Sequence, residues 1–230
     1  MELGNVAIIP ARGGSKRIPK KNIKLFLGKP IIEYSITAAL KCGLFEKVIV
    51  STDNVEIAEI AKKVGAEVPF MRSSKNSDDF AGTINVLIEV IEELIKTGLK
   101  FKNLCCLYPT APFITPEKLQ SSYKLLTEGM YDSVFPVCRF SYPIFRALQM
   151  DDQGRIQMIW PENLDKRSQD LAPAYHDSGS FYWANIEAVI SKKSLYTDNS
   201  AGIILNELEV QDIDNEIDWK LAELKSKLIE

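Results

Sequence analysis

A basic, glycine-bearing segment near the start of the chain contains the residues best suited to chemistry. Five cationic side chains fall within ten residues there: Arg12, Lys16, Arg17, Lys20 and Lys21. Gly13 and Gly14 allow the backbone to approach a ligand and to direct N–H groups at anionic oxygens. In a chain of net charge −3, this cluster is suited to holding a triphosphate and stabilising pyrophosphate as it leaves. A solvated basic turn is the alternative, and the segment matches neither a P-loop nor a GxGxxG loop.

Two carboxylates near the other end of the chain form a second candidate element. Asp212 and Asp214 flank Ile213, and alternate side chains of an extended segment share one face. Two hard oxygen ligands beside a triphosphate suit Mg²⁺, which prefers few carboxylates together with phosphate oxygens and water. Alternatively, either aspartate caps the final helix.

The elements that must position these residues follow a β–α–β–α order up to Val137. Apolar runs predict strands at Val6–Ile9, Val48–Val50, Val68–Met71, Leu104–Tyr108 and Ser133–Val137. Helix signals predict helices that begin at Pro30, at Asp53 or Asn54, at Thr83 as a cap, and at Thr115-Pro116. Further elements are predicted at Phe181–Ala184, Ile186–Lys192, Gly202–Leu205 and Glu216–Leu228. This order favours an α/β, Rossmann-like three-layer αβα fold whose mostly parallel sheet binds ligands at the carboxyl ends of its strands.

Composition limits the classes of function. With 230 residues and 46 % hydrophobic content, the chain fits a single domain, 1–230, with an inserted arm at 138–175. The acidic balance argues against general nucleic-acid binding, which depends on Lys and Arg. The sequence begins without a signal-peptide pattern and has no run of about 18 apolar residues, so a cytoplasmic protein with no membrane partner is expected. The single histidine, His176, excludes a histidine-rich metal site, and the four cysteines are expected to be buried and reduced.

The segment Ala7–Lys16, with Lys21–Ile23, resembles the signature of the CMP-sialic acid synthetase family, which includes the neuraminate, pseudaminate, legionaminate and 3-deoxy-manno-octulosonate enzymes. The resemblance continues through Val50–Asp53, Ser77–Asp79, Tyr108–Pro112, Arg167–Leu171 and Asp212–Asp214. It implies a homodimeric enzyme that uses Mg²⁺ and transfers CMP from CTP to the anomeric hydroxyl of a nine-carbon 2-keto sugar acid, releasing pyrophosphate.

The resemblance also implies roles for individual residues. The implied catalytic residues are Arg12, Lys21, Asp212 and Asp214, with the two aspartates as metal ligands. The implied nucleotide-binding residues are Ala11, Arg12, Gly13, Gly14, Ser15, Lys16, Lys21, Asn22, Arg72, Asp79, Ala81 and Thr83. Several have structural alternatives: an ordinary turn for Asn22, a surface charge for Arg72, and helix capping for Asp79 and Thr83.

The acceptor side departs from the neuraminate enzymes, which carry Gln-Pro-Thr-Ser-Pro-Leu-Arg where this chain has Tyr108–Ile114. This segment most resembles that of the pseudaminate branch. Pseudaminic acid has a methyl group and an additional acetamido group in place of hydroxyls, so a less polar pocket should favour this sugar. The implied sugar contacts are Tyr108, Thr110, Arg146, Arg167, Gln169, Asp170, His176 and Ser180. The alternative for Arg146 and Arg167 is that either bridges subunits. The alternative for His176 is a hydrogen-bonded structural role. The other functions to consider are the same reaction on neuraminic or legionaminic acid and a non-catalytic nucleotide-binding regulatory module.

By the same resemblance, Cys138–Tyr175 would form an arm that packs on a second subunit. Its apolar bulk is provided by Phe140, Tyr142, Phe145 and Trp160. An intrachain flap is the alternative.

Overall fold

A central sheet of seven strands organises the protein in the computed structural model, which describes residues 2–77 and 82–229. The strands are β1 (Glu2–Pro10), β2 (Leu25–Phe26), β3 (Lys29–Pro30), β4 (Lys47–Ser51), β5 (Lys100–Leu107), β6 (Ser133–Arg139), β7 (Leu148–Met150), β8 (Ile156–Met158), β9 (Tyr175–Asp177), β10 (Phe181–Asn185) and β11 (Ser200–Leu205). The order in the large sheet is β11-β6-β10-β5-β1-β4, and β9 pairs with β6. Strands β2 and β3 form one small hairpin, and β7 and β8 form another.

The sheet is mostly parallel, as predicted. Strand β1 pairs in parallel with β4 and β5, and β11 pairs in parallel with β6. Strands β9 and β10 run the opposite way. This reversal follows from the excursion after β6, because the chain returns to the sheet at the edge where β6 ended and must run back across it.

Six helices in the described ranges cover the sheet: α1 (Ile31–Lys41), α2 (Val55–Val64), α3 (Thr83–Lys96), α4 (Pro116–Glu128), α5 (Ile186–Lys192) and α6 (Glu216–Ile229). Local signals set their ends. Asn54 Oδ1 accepts a hydrogen bond from Ile57 N at 3.1 Å and caps α2, while Thr115 caps α4. Gly82 is the N-cap of α3, so the expected capping role of Thr83 is wrong.

Two hydrophobic cores lie on opposite faces of the sheet, which gives the predicted three layers. Ala7 and Ile9 of β1 belong to the core shared with α1, α2 and α4. Val6 and Ile8 point the other way, into the core shared with α3 and α5. This alternation is the period of two that a strand imposes on its side chains.

A third, smaller core is important for the site. It joins Ile18 from the basic segment, Ile213 from the acidic segment and Trp219 from α6. Both isoleucines are completely buried. The free energy gained by burying such side chains, about 1.5–3 kcal/mol each, therefore holds the two ends of the sequence together.

The strand predicted at Val68–Met71 is wrong. A single parallel bridge joins Ile49 to Glu67, the residue before this segment, and residues 68–71 themselves form irregular chain. Pro69 lacks the N–H that a continuing strand would donate to its neighbour, which accounts for the interruption.

The excursion between β6 and β9 forms an arm built from the β7–β8 hairpin and short 3₁₀ turns. Phe145 and Trp160 pack edge-on within it, with ring centroids 5.7 Å apart. Leu148, Met150 and Ile156 are each more than half exposed. Across residues 2–77 and 82–229, none of the helices has the length and apolar character needed to cross a lipid bilayer.

Candidate active site

The basic segment leaves β1 and is fastened to the end of β4. Ala11 N donates to Ser51 O at 2.9 Å, and Gly13 N donates to the Asp53 carboxylate at 2.8 Å. A Cβ on Gly13 would lie 2.9 Å from Asn54 Cβ, so the close approach of the two strand ends requires glycine. The carboxyl ends of two parallel strands thus shape one glycine-bearing loop.

A short 3₁₀ helix, Lys21–Ile23, closes this loop. The buried Asn22 side chain donates to Arg12 O at 2.8 Å, across the turn. Asn22 therefore has the loop-holding role that was its structural alternative, and it also lines the cleft described below.

The acidic segment approaches the loop from the other side. Ile213 points into the third core, while Lys21 Nζ donates to Ile213 O at 2.6 Å and lies 3.9 Å from Asp214 Oδ1. Arg17 Nη2 also reaches Asp214 Oδ1, at 2.9 Å. The two segments that the sequence singled out are therefore in direct contact.

Helix capping does not account for the two aspartates. Asn215 Oδ1 accepts hydrogen bonds from Ile217 N and Asp218 N, at 2.8 and 3.1 Å, and so caps α6. The Asp218 side chain in turn accepts from Asp214 N at 2.9 Å. The Asp214 carboxylate thus remains beside Lys21, at 3.9 Å, and neither aspartate serves as the cap of α6.

A cleft of about 420 Å³ lies between these regions. The predicted residues that line it are Arg12, Ser15, Lys16, Lys21, Asn22, Arg72, Thr83, Tyr108, Thr110 and Asp214. Arg17, a member of the predicted cation cluster, also lines it, and sequence reasoning gave no site role to three further lining residues: Pro10, Val86 and Pro109. Asp79 and Ala81 lie outside the described residues.

Charges in the cleft affect one another. Burial lowers the pKa of Lys21, and the nearby carboxylates of Asp214 and Asp212 oppose that shift. Desolvation, followed by the charge of Asp214, raises the pKa of Asp212, although this side chain keeps access to solvent. The site therefore favours an added anion near Lys21 and an added cation near the aspartates.

The aspartate pair fits Mg²⁺ through its chemistry. Among the residues that the structure describes, no cluster of three or more His, Cys, Asp or Glu side chains could enclose a metal. A divalent cation at Asp212 and Asp214 would thus need further oxygen ligands from elsewhere. Magnesium commonly binds one or two carboxylates and takes its remaining ligands from substrate phosphates and water.

Arg72 and Thr83 hold the wall of the cleft. Arg72 is buried, and its Nε donates to Ser51 Oγ at 3.0 Å, so its alternative as a surface charge is wrong. Burial lowers the pKa of this guanidinium. Thr83 Oγ1 lies 3.3 Å from Tyr108 Oη, which joins the start of α3 to the end of β5.

The predicted sugar residues fall into two groups. Tyr108 and Thr110 line the cleft, and Ser180 O accepts from Tyr108 N at 2.8 Å. His176 is exposed beside the arm, where its Nδ1 lies 2.8 Å from Asp177 O and its ring lies 5.0 Å from that of Phe140.

The second group lies in the arm. Arg167 pairs with Asp170 at 2.7 Å, Arg146 is exposed, and Gln169 lines a separate cavity of about 510 Å³ between the arm and β11. In the described part of a single chain, none of these arm residues lines the cleft.

Two contacts in the site were not predicted from the sequence. Asp53 follows β4 as Gly13 follows β1, so the rule that adjacent parallel strands end at one edge could have placed them together. Arg17 was predicted as part of the cation cluster, but its contact with Asp214 gave no sequence signal, because that contact depends on how the ends of the chain pack.

An α/β sheet whose strand ends carry a basic, glycine-bearing loop opposite paired aspartates defines a nucleotide-binding enzyme of the nucleotidyltransferase class. Residues 6–215 match the family model described as cytidylyltransferase. The chain belongs to the cytidylyltransferase family, which confirms the resemblance seen in its motifs.

Similar proteins agree with this assignment. The chain is 40 % identical, over 97 % of both sequences, to a pseudaminic acid cytidylyltransferase of Campylobacter jejuni. It is 36 % identical to the CMP-N,N′-diacetyllegionaminic acid synthase of Legionella pneumophila, over 95 % of this chain and 94 % of that one. Its fold matches that of a CMP:2-keto-3-deoxy-manno-octonic acid synthetase complexed with CTP, with a TM-score of 0.69, 15 % identity and 98 % coverage of both chains.

Proposed function

We propose that this chain transfers CMP from CTP to the anomeric hydroxyl of pseudaminic acid and releases pyrophosphate. The observation that carries the proposal is the contact of Lys21 with Ile213 O and Asp214, which places the cationic loop and an aspartate carboxylate in the wall of one cleft. The relatives from Campylobacter and Legionella indicate the nucleotide and the class of acceptor.

In this reaction the anomeric oxygen attacks the α-phosphorus of CTP and loses its proton to solvent, and the bond from that phosphorus to the bridging oxygen breaks. The leaving pyrophosphate takes the electron pair. Phosphoryl transfer depends mainly on positioning and on neutralising oxygen charges. Arg12 and Lys21 do this at the phosphates, while the loop backbone at Gly14, where a Cβ would meet no atom within 4 Å, leaves room for them to approach.

Asp212 and Asp214 would hold Mg²⁺ on the opposite side of the cleft. When bound, the metal supplies Lewis-acid neutralisation of phosphate charge. Arg17 and Lys21 already neutralise Asp214, at 2.9 and 3.9 Å, so the arrival of the triphosphate gives these cations new partners. Asn22 and the backbone near Arg72 are proposed to face the cytosine.

The acceptor is proposed to lie against Tyr108 and Thr110. Here the chain presents an aromatic ring, and the apolar Phe113 and Ile114 follow where neuraminate enzymes have Leu and Arg. A binding site without unmatched buried donors favours a deoxygenated sugar, because an unpaired polar group costs about 1–3 kcal/mol. The relative from Legionella makes N,N′-diacetyllegionaminic acid the second candidate.

We also propose that two copies associate through the arm. Leu148, Met150 and Ile156 expose an apolar surface on the β7–β8 hairpin that a second arm of the same kind can cover. A cytoplasmic location is proposed because all four cysteines are free thiols, as is usual in a reducing compartment.

The test is a panel of 2-keto sugar acids offered with CTP and Mg²⁺. Initial rates of pyrophosphate release are measured for pseudaminic, legionaminic, neuraminic and 3-deoxy-manno-octulosonic acids. The proposal expects the highest kcat/KM with pseudaminic acid. A higher value with another acid would change the acceptor, and CTP binding without turnover on any acid would favour the non-catalytic module.

A further inference from the structure

Asp177, at the end of β9, gathers three hydrogen-bond donors outside the residues so far given a role. Its Oδ1 accepts from Gly179 N at 2.9 Å. Its Oδ2 accepts from the hydroxyl groups of both Tyr182 and Tyr196. One partly buried carboxylate thus ties together a turn, a central strand and the segment before β11.

The turn that Asp177 holds lies against the site. Gly179, with φ of +62°, is so close to the acidic segment that a Cβ on it would lie 3.6 Å from Asp212 Cγ. The next residue, Ser180, accepts from Tyr108 N through its carbonyl at 2.8 Å. The same short turn therefore contacts the metal-binding side and supports the acceptor side of the cleft.

The tyrosines extend this connection. Tyr182 is buried and packs against Tyr108, with ring centroids 5.6 Å apart. Burial and the hydrogen bond to Asp177 both raise the pKa of Tyr182, so its hydroxyl stays protonated and donates. Tyr108 continues the path to Thr83 at the start of α3.

We propose that Asp177 is a positioning residue of the active site, which fixes the turn 178–180 and thereby the placement of Asp212 and Tyr108. The inference rests on the proposed function for its catalytic consequence. Asp177 acts through its neighbours, because both of its carboxylate oxygens accept hydrogen bonds from other groups of the same chain. A displacement of about 1 Å at a reacting centre can cost about 100-fold in rate, so a tether of this kind matters to turnover.

The variants separate the tether from general stability. Asp177→Ala removes both acceptor oxygens and all three hydrogen bonds, whereas Asp177→Asn keeps an oxygen for Gly179 N. Tyr196→Phe removes one donor at a half-exposed position, where folding is least threatened. Asp198→Asn, on an exposed carboxylate two residues from Tyr196, is the matched control.

The kinetic readout is a difference between substrates. In Asp177→Ala we expect kcat/KM for the sugar acid to fall about 10- to 100-fold and the half-saturating Mg²⁺ concentration to rise, with partial rescue in Asp177→Asn. The dissociation constant of metal-free CTP should stay within about twofold, since the basic loop is anchored to β4 instead. Unchanged kinetics, or an equal loss for CTP and the sugar acid, would overturn the inference.

A second readout does not depend on turnover. Hydrogen–deuterium exchange should become faster in Asp177→Ala, and less so in Tyr196→Phe, for peptides that contain 178–180 and 211–213, while β4 stays protected. Unchanged exchange at the turn would also overturn the inference. An inactive wild type, by contrast, would defeat the proposed function and leave this exchange test decisive for Asp177.

Discussion

Arg17 and Asp214 are 197 positions apart in the sequence, and Arg17 Nη2 lies 2.9 Å from Asp214 Oδ1. Both side chains keep substantial solvent exposure, 67 % and 42 %. An exposed ion pair of this kind contributes about 0–1 kcal/mol, so a phosphate or a metal ion can replace either partner at little cost. The ion pair lies in the wall of the cleft, and both side chains stay accessible to a ligand.

Asp214→Asn should abolish most of the catalysis. At saturating CTP and Mg²⁺ we expect pyrophosphate release to fall about 100- to 1,000-fold, because the amide loses the charge that holds the metal and faces Lys21. The steady-state rate is compared with that of Asp198→Asn, an exposed carboxylate paired with Lys192. Near-normal turnover in Asp214→Asn would remove this residue from the mechanism.

Lys21→Met and Lys20→Met form a matched pair of adjacent substitutions. Lys21 lies in the cleft, whereas Lys20 Nζ turns away to Glu56 at 2.6 Å. We expect kcat/KM for CTP to fall about 100-fold in Lys21→Met and to stay within about twofold in Lys20→Met. Equal losses in the two variants would indicate that the loop acts only through its summed charge.

The acidic segment is anchored by a pH-dependent ion pair. Lys118 Nζ lies 2.8 Å from Glu209 Oε1, and this contact lowers the pKa of Glu209 below its ordinary 4.5. A carboxylate with a lowered folded pKa contributes stability above its unfolded pKa and loses it as pH falls through the folded value. Glu209→Gln should therefore lower the free energy of unfolding by roughly 1 kcal/mol near pH 7, after allowance for solvent screening, and by much less below the folded pKa.

Urea denaturation of wild type and Glu209→Gln, near pH 7 and again below the folded pKa of Glu209, measures the difference in the free energy of unfolding. Glu128→Gln is the control, since Glu128 is exposed and lies 3.9 Å from Lys124. A loss of the same size at both pH values would show that the hydrogen bonds of the Glu209 oxygens, and not the charge, are what stabilise the segment.

The exposed apolar surface of the arm leads us to expect a dimer. Sedimentation at micromolar concentration should give the mass of two chains. The double variant Met150→Lys, Ile156→Lys places two charges on facing positions of the hairpin and should give monomers. Leu228→Lys, at an exposed position near the end of α6, should leave the dimer intact. A wild type that sediments as a monomer would make the arm an intrachain flap.

Much of the local structure could be read from the chain itself. The strand at Val6–Ile9, the caps at Asn54 and Thr115 and the stop at Gly65 follow from short-range pattern and capping chemistry, because each depends on residues a few positions apart. The cation cluster and the aspartate pair were visible for the same reason. Pro69 was a missed local signal, since it explains why Val68–Met71 is not a strand.

Only the tertiary structure decided how these pieces meet. The burial of Ile18 and Ile213 in one core brings the two ends of the chain together, and this depends on which apolar side chains share a space, not on spacing. The same holds for the buried position of Arg72 and for the reversed direction of β10. Composition and motifs determined which groups were available for chemistry, and long-range packing determined which of them face each other across the cleft.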